Sequence, residues 1–128
     1  MKIEHVAINV ANPVAVASWY MANMGLTVVR KQEGAPHTHF LADESRQMMI
    51  EIYNNPPDQV PDYGAMNPLL LHLAFVCENP AQKRTQLEQA GARFTGEFHG
   101  EDGSHLVMLR DPWGLAIQLC KRAAPMLG

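Results

Sequence analysis

Four polar side chains stand inside otherwise apolar, strand-like runs. They are His5 in HVAINVANP (5–13), Glu51 in MIEIY (49–53), His72 in HLAFVCENP (72–80) and Gln118 in AIQLC (116–120). Two neutral imidazoles, one carboxylate and one amide oxygen make a donor set for a divalent transition ion such as Zn, Ni, Fe, Co or Mn. A carboxylate inside an apolar strand is costly to bury unless it is paired or coordinated. The spacing adds to the chemistry, because His5 to His72 and Glu51 to Gln118 are both separations of 67 positions. Four positions related in pairs by one offset read as a single metal site at a pseudo-twofold axis. The alternative is that the histidines and Glu51 simply hydrogen-bond one another inside a barrel.

The elements that must hold these residues repeat at the same offset. His5, Ala7, Asn12 and Pro13 recur as His72, Ala74, Asn79 and Pro80, which points to a duplicated unit. Residues 2–10 alternate like a strand, with Val6, Ile8 and Val10 on one face and His5, Ala7 and Asn9 on the other. Asn12 then offers a helix N-cap and Pro13 a first helical position. An apolar stripe of Val16, Trp19, Tyr20 and Met24 runs through a short helix ending near Gly25. LTVVRK, HTHFLAD and QMMIEIYN follow as strands. LLLHLAFVC, a helix from Pro80 to Gly91, ARFTGEF, SHLVMLR and LAIQLCK repeat that order in the second half.

The expected fold is therefore α+β, with two βαβββ modules in tandem, each with a helix on one sheet face and the other face left to be buried or to line a cavity. Residues 1–128 read as a single domain: module one spans about 2–54, a proline-rich linker 55–68, module two about 69–122, and a short tail follows. In the strands carrying the four polar residues, the bulkier aliphatic face suits packing on a helix. Met48, Ile50 and Ile52 oppose Glu51, and Leu115, Ile117 and Leu119 oppose Gln118.

Composition removes several classes of function. The chain has 128 residues, 47% of them apolar, which is enough for the core of one domain. A net charge of −3 gives no electrostatic footprint for nucleic acid. No basic amphipathic stretch points to a membrane surface, and no apolar run approaches the ~20 residues of a membrane span. MKIEH passes straight into strand alternation, without the pattern of a secretory leader. With only Cys77 and Cys120 and no disulfide framework, a cytoplasmic location is expected.

IEHVAINV, SWYMANMGLTVV and RDPWGLAIQL together resemble the opening strand, helix-to-strand passage and closing turn of the vicinal oxygen chelate superfamily. That superfamily includes glyoxalase I, methylmalonyl-CoA epimerase, extradiol dioxygenases, and fosfomycin and bleomycin resistance proteins. The resemblance covers roughly residues 2–121. It implies paired βαβββ units whose sheets curl around a central metal-site cavity, with ligands from the first and last strands of each module at His5, Glu51, His72 and Gln118. It also implies a small-molecule substrate and a homodimer.

Glyoxalase I resembles this ligand set most closely but carries a glutamate on its last strand, as metal ligand and base. Gln118 has no basic carboxylate and cannot take that proton, so ordinary glyoxalase activity does not carry over. The set also resembles that of methylmalonyl-CoA epimerase with the modules exchanged. The leading expectation is a metal-dependent lyase or isomerase acting on vicinal oxygens through an enediolate-like intermediate, with Glu51 as ligand and catalytic base. An alternative keeps His5, His72 and Glu51 as an Fe(II) face for a dioxygenase. Another is a non-catalytic dimeric binder of a drug or metabolite.

Among the remaining residues, His37 and His39 share one face of the third strand, and His99 and His105 flank a glycine-rich turn. All four read as solvated, with pocket-lining as the second option. Arg30, Lys31 and Arg110 read as surface cations, and Trp19 and Tyr20 as core. Asp111, Pro112 and Gly114 suit a type I turn.

Overall fold

The computed structural model describes residues 1–127 and resolves into two compact units, Met1–Pro61 and a second beginning at Asp62. The boundary falls inside the proline-rich stretch. Each unit is a βαβββ module. The first runs β1 (His5–Asn9), α1 (Pro13–Met24), β2 (Thr27–Lys31), β3 (His39–Ala42) and β4 (Met49–Tyr53). The second runs β5 (Leu73–Val76), α2 (Pro80–Gln89), β6 (Arg93–His99), β7 (His105–Arg110) and β8 (Ala116–Lys121). The sheets have matching orders, β1-β4-β3-β2 and β5-β8-β7-β6, with the first and last strands of each module paired in parallel.

Local chemistry explains why the halves fold alike. Asn12 caps α1 by accepting the Ala15 amide at 3.2 Å, and Asn79 caps α2 by accepting the Gln82 amide at 3.1 Å. Proline follows each cap, where its missing N–H costs no helical bond. Gly25 ends α1 at φ 70°, a left-handed turn that glycine adopts without steric cost. In the first unit, α1 buries Val16, Ala17 and Tyr20 against the sheet face of Ile8, Leu41, Ile50 and Ile52. In the second, Leu87 of α2 meets the face of Val107, Leu109, Ile117 and Leu119. Burying such aliphatic side chains contributes about 1.5–3 kcal/mol each. No helix among the described residues is long and apolar enough to cross a membrane.

Several expectations need correction. β5 starts at Leu73, because Asn67 turns the chain before it, its side chain accepting the Leu69 amide at 2.9 Å and its carbonyl the Leu70 amide at 3.0 Å. His37 precedes β3 at φ 58° and shares no strand face with His39. His39 is buried on the α1 side of the sheet, its Nδ1 donating to the His37 carbonyl at 2.7 Å. Trp19 is half-buried rather than core, its ring edge-to-face with Tyr20 at 5.0 Å. Arg110 is no surface cation. Its guanidinium donates to the carbonyls of Tyr63 (2.8 Å), Met66 (2.8 Å) and Gly114 (2.9 Å), tying the 3-10 turn Tyr63–Ala65 to the segment leading into β8.

The 111–114 turn forms as expected. Gly114 closes it by donating to the Asp111 carbonyl at 2.9 Å. The buried Asp111 carboxylate accepts from the amides of Trp113 (2.9 Å) and Leu115 (3.0 Å), which aims the chain into β8 and so sets the register of Gln118.

Candidate functional site

Strand register decides which side chains share a face. In the first unit His5 pairs with Met49, Ala7 with Glu51, and Glu51 with Phe40, so His5, Glu51 and Phe40 lie on the face turned away from α1. In the second, Ala74 pairs with Gln118, and Gln118 with Met108. The pairs Ala7–Glu51 and Ala74–Gln118 occupy equivalent registers, with a histidine two residues before each alanine. The register of the alanine pairs therefore repeats, but His5 lies within β1 whereas His72 precedes β5.

His5 and Glu51 come together. The His5 Nε2 lies 3.9 Å from the Glu51 Oε1, beyond hydrogen-bond reach. The Glu51 side chain is 17% exposed and makes no hydrogen bond among the described residues. Its half-buried carboxylate is therefore free to take a cation as partner. The His5 Nδ1 donates to the Glu4 carboxylate at 2.9 Å. A carboxylate can only accept, so the Nδ1 donates, and the Nε2 is the ring nitrogen turned toward Glu51. Phe40 meets the His5 ring edge-to-face at 5.4 Å between centroids and limits its rotation.

His72 is set in the same tautomer by a different partner. Its Nδ1 donates to the Pro68 carbonyl at 2.8 Å, which leaves the Nε2 free to accept or ligate. An imidazole tied through one nitrogen and open at the other is the usual state of a metal-ligating histidine. Bond lengths of about 2.0–2.2 Å to Zn place two donors to one ion ~3–4 Å apart, which the His5–Glu51 separation meets. Within each unit, the donor chemistry fits a divalent ion.

Gln118 is half-buried, and its Oε1 accepts from the Cys120 thiol at 3.2 Å. Burial pushes the Cys120 thiol up from its ordinary value, with Arg122 opposing and Cys77 adding to the effect. It is thus a protonated donor beside Gln118 rather than a nucleophile. Asn9, on the same face as His5, holds the chain after β4, its Nδ2 donating to the Pro56 carbonyl at 2.8 Å and its Oδ1 accepting the Asn55 amide at 2.7 Å.

A second group of donors was not foreseen as a unit. Glu97, His99 and His105 have ligand atoms within 4.8 Å of one another. The sequence marks the two histidines as flanking a turn, but nothing in it brings Glu97 to them, because that depends on an irregularity in β6.

Residues 2–119 match the family model described as the Glyoxalase/Bleomycin resistance protein/Dioxygenase superfamily. Among solved structures the chain is similar to TnmS3, an antibiotic binding protein from Streptomyces sp. CB03234, at 16% identity and TM-score 0.72, covering 94% of each chain. It is also similar to a superfamily member from Sphaerobacter thermophilus DSM 20745, at 13% identity and TM-score 0.73, covering 95% of this chain and 98% of that one. A third is lactoylglutathione lyase from Agrobacterium tumefaciens, at 22% identity and TM-score 0.65, covering 92% and 91%. At such identities the likeness speaks for the fold alone. No curated protein matches the chain in sequence.

Proposed function

The chain belongs to the glyoxalase/bleomycin resistance protein/dioxygenase superfamily, and from that premise we propose that it is a metal-dependent lyase or isomerase acting on a small substrate with vicinal oxygens. The proposed ligands are His5, Glu51, His72 and Gln118, one pair from each module, for Zn, Ni, Fe, Co or Mn. The observation that carries this reading is the common state of the two histidines. Each has its Nδ1 tied by a hydrogen bond, and each stands two residues before an alanine whose strand partner is Glu51 in one module and Gln118 in the other. When bound, the ion supplies Lewis acidity, polarising a carbonyl and stabilising negative charge on the neighbouring oxygen.

The chain's own residues do the rest. Glu51, little exposed and without a hydrogen bond among the described residues, is the base that takes the proton from the oxygen-bearing carbon next to the carbonyl. Gln118 cannot take a proton, so one carboxylate both removes and returns it, which favours isomerisation. The Gln118 amide orients the substrate or the ion and is itself fixed by the Cys120 thiol. We read the working form as a homodimer, a reading supported by the exposed apolar side chains of Leu69, Leu70 and Val76. The free thiols of Cys77 and Cys120 support a reducing, cytoplasmic setting.

Native mass spectrometry with elemental analysis of untagged protein reads metal content and assembly together. The expectation is a dimer in which Glu51→Gln loses one metal equivalent per chain. The same variant should lose the α-proton exchange with D2O that NMR detects on small α-hydroxycarbonyl compounds. Metal content and exchange both unchanged in Glu51→Gln would overturn the proposal. No metal and no affinity for one would turn the reading to a drug or metabolite binder, and oxygen uptake with a catechol-like compound to a dioxygenase.

A further inference from the structure

We propose that the end of the β6–β7 hairpin is a second divalent-metal site, held by Glu97, His99 and His105 and suited to a borderline ion such as Zn or Ni. His99 pairs directly with His105 across the hairpin, and their rings stack at 4.0 Å between centroids with an interplanar angle of 16°. The Glu97 Oε2 lies 2.8 Å from the His105 Nε2 and 3.5 Å from the His99 Nε2. Two imidazoles and one carboxylate thus bring ligand atoms within 4.8 Å of one another on one side of the hairpin.

A bulge creates this convergence. The β6–β7 register shifts between Phe94 and Gly96, so one extra residue, Thr95, enters the edge strand. Beyond it Glu97 pairs with Val107 and His99 with His105, which puts both donors on the face of the buried Val107 and Leu109. Gln118 lies on the other face of this sheet, beside Met108. The hairpin donors therefore form a separate site on the reverse of the second sheet. Without the bulge, Glu97 and His99 would fall on the opposite face from His105.

The site is braced before any ion arrives. Gly100 donates to the Ser104 carbonyl at 2.8 Å, Gly103 turns the chain at φ 91°, and the Ser104 amide donates to the Asp102 carboxylate at 2.9 Å. This turn fixes the two histidines opposite each other, so little ordering remains to be done on binding. The His99 and Glu97 side chains are 67% and 37% exposed, which leaves coordination positions open to water or a further ligand. Without an ion the His105 Nε2 donates to the Glu97 carboxylate at 2.8 Å. A divalent ion would displace that proton and take all three groups as ligands.

Isothermal titration of the untagged full chain with Zn2+ alone tests the proposal, in four proteins: wild type, Glu51→Gln, the His99→Ala/His105→Ala double variant, and all three changes together. The double variant should lose one Zn equivalent relative to its parent in both backgrounds. The single His99→Ala change should weaken that equivalent by about tenfold or more, since losing even an outer-shell partner of a metal ligand costs 10–100-fold. If the Glu51 site proposed above binds nothing, wild type and Glu51→Gln will each bind one equivalent that the double variant abolishes. The two ideas therefore fail separately. Equal stoichiometry and affinity with and without the hairpin histidines would overturn the second site. NMR of the imidazole nitrogens in wild type gives a check independent of variant folding. Zn2+ should shift the Nε2 signals of His99 and His105, and unmoved signals would equally overturn the proposal.

Discussion

Gly64 and Gly114 meet back to back where the 3-10 turn passes the 111–114 turn, yet they should tolerate alanine very differently. A Cβ on Gly114 would sit 2.6 Å from the Gly64 amide nitrogen and 2.7 Å from its Cα, both backbone atoms that cannot swing aside. Gly114 also holds φ at 95°. A Cβ on Gly64 would meet only the Asp62 Oδ1 at 3.6 Å and the Gly114 Cα at 3.9 Å, which are ordinary contacts. Gly103 supplies the intermediate case, with φ at 91° and nothing within 4 Å of its Cβ. Left-handed backbone costs an L-residue roughly 1–2 kcal/mol, and forced overpacking adds about 1–3 kcal/mol. Gly64→Ala should therefore change stability by about 0.5 kcal/mol or less. Gly103→Ala should cost about 1–2 kcal/mol, and Gly114→Ala about 2–5 kcal/mol. For a chain of this size the last is a fall in Tm of roughly 6–25 °C. Urea denaturation monitored by circular dichroism, with unchanged m-values, measures the series. If Gly114→Ala is no worse than Gly103→Ala, the close backbone approach is wrong. If Gly64→Ala is as harmful as Gly114→Ala, the asymmetry of the contact is wrong.

Arg110 should prove structural. Arg110→Lys keeps the charge but loses the fork that reaches three carbonyls, and should cost about 2–4 kcal/mol in urea denaturation. A change within the scatter of surface substitutions would return Arg110 to the surface. Asp102 should titrate below the ordinary 3.8, because the Ser104 amide and then its hydroxyl stabilise the carboxylate. The stabilisation this gives the turn is complete above 3.8 and is lost as pH falls through the lowered value. Carboxyl NMR titration checks it. Ser104→Ala should raise the Asp102 value only part of the way, since the amide remains, and an ordinary value in wild type would refute the assignment.

What was legible in the sequence is what local chemistry dictates. The Asn–Pro caps of α1 and α2 need only neighbouring amides, and the faces of β1, β4 and β8 follow from alternation alone. That placed Glu51 and Gln118 on the faces turned away from the helices. What was not legible depends on distant backbone or on broken alternation. The carbonyls that recruit Arg110 belong to Tyr63 and Met66, 44–47 residues away, and a carbonyl carries no residue identity. His37 at φ 58° breaks the strand reading of HTHFLAD, and the Asn67 turn ends the apolar run before β5. In both places apolar or β-forming composition continued while the backbone left the sheet.

The bulge at Thr95 shows most sharply how face, rather than residue type, assigns chemistry in this fold. Both sheets have the same strand order and the same parallel pairing of first and last strands, so the duplicated frame offers equivalent positions twice. The occupants differ, with a carboxylate at 51 and an amide at 118, and only the carboxylate can take a proton. On the second sheet a single inserted residue reverses the alternation of β6 and gathers Glu97, His99 and His105 behind the sheet, away from Gln118. Had β6 stayed regular, Glu97 and His99 would lie on the Gln118 face. The first sheet has a matching irregularity between Val28 and Arg30, so the bulge belongs to the duplicated frame, and it is the residues after it in β6 that put Glu97 and His99 on the face of His105, away from Gln118.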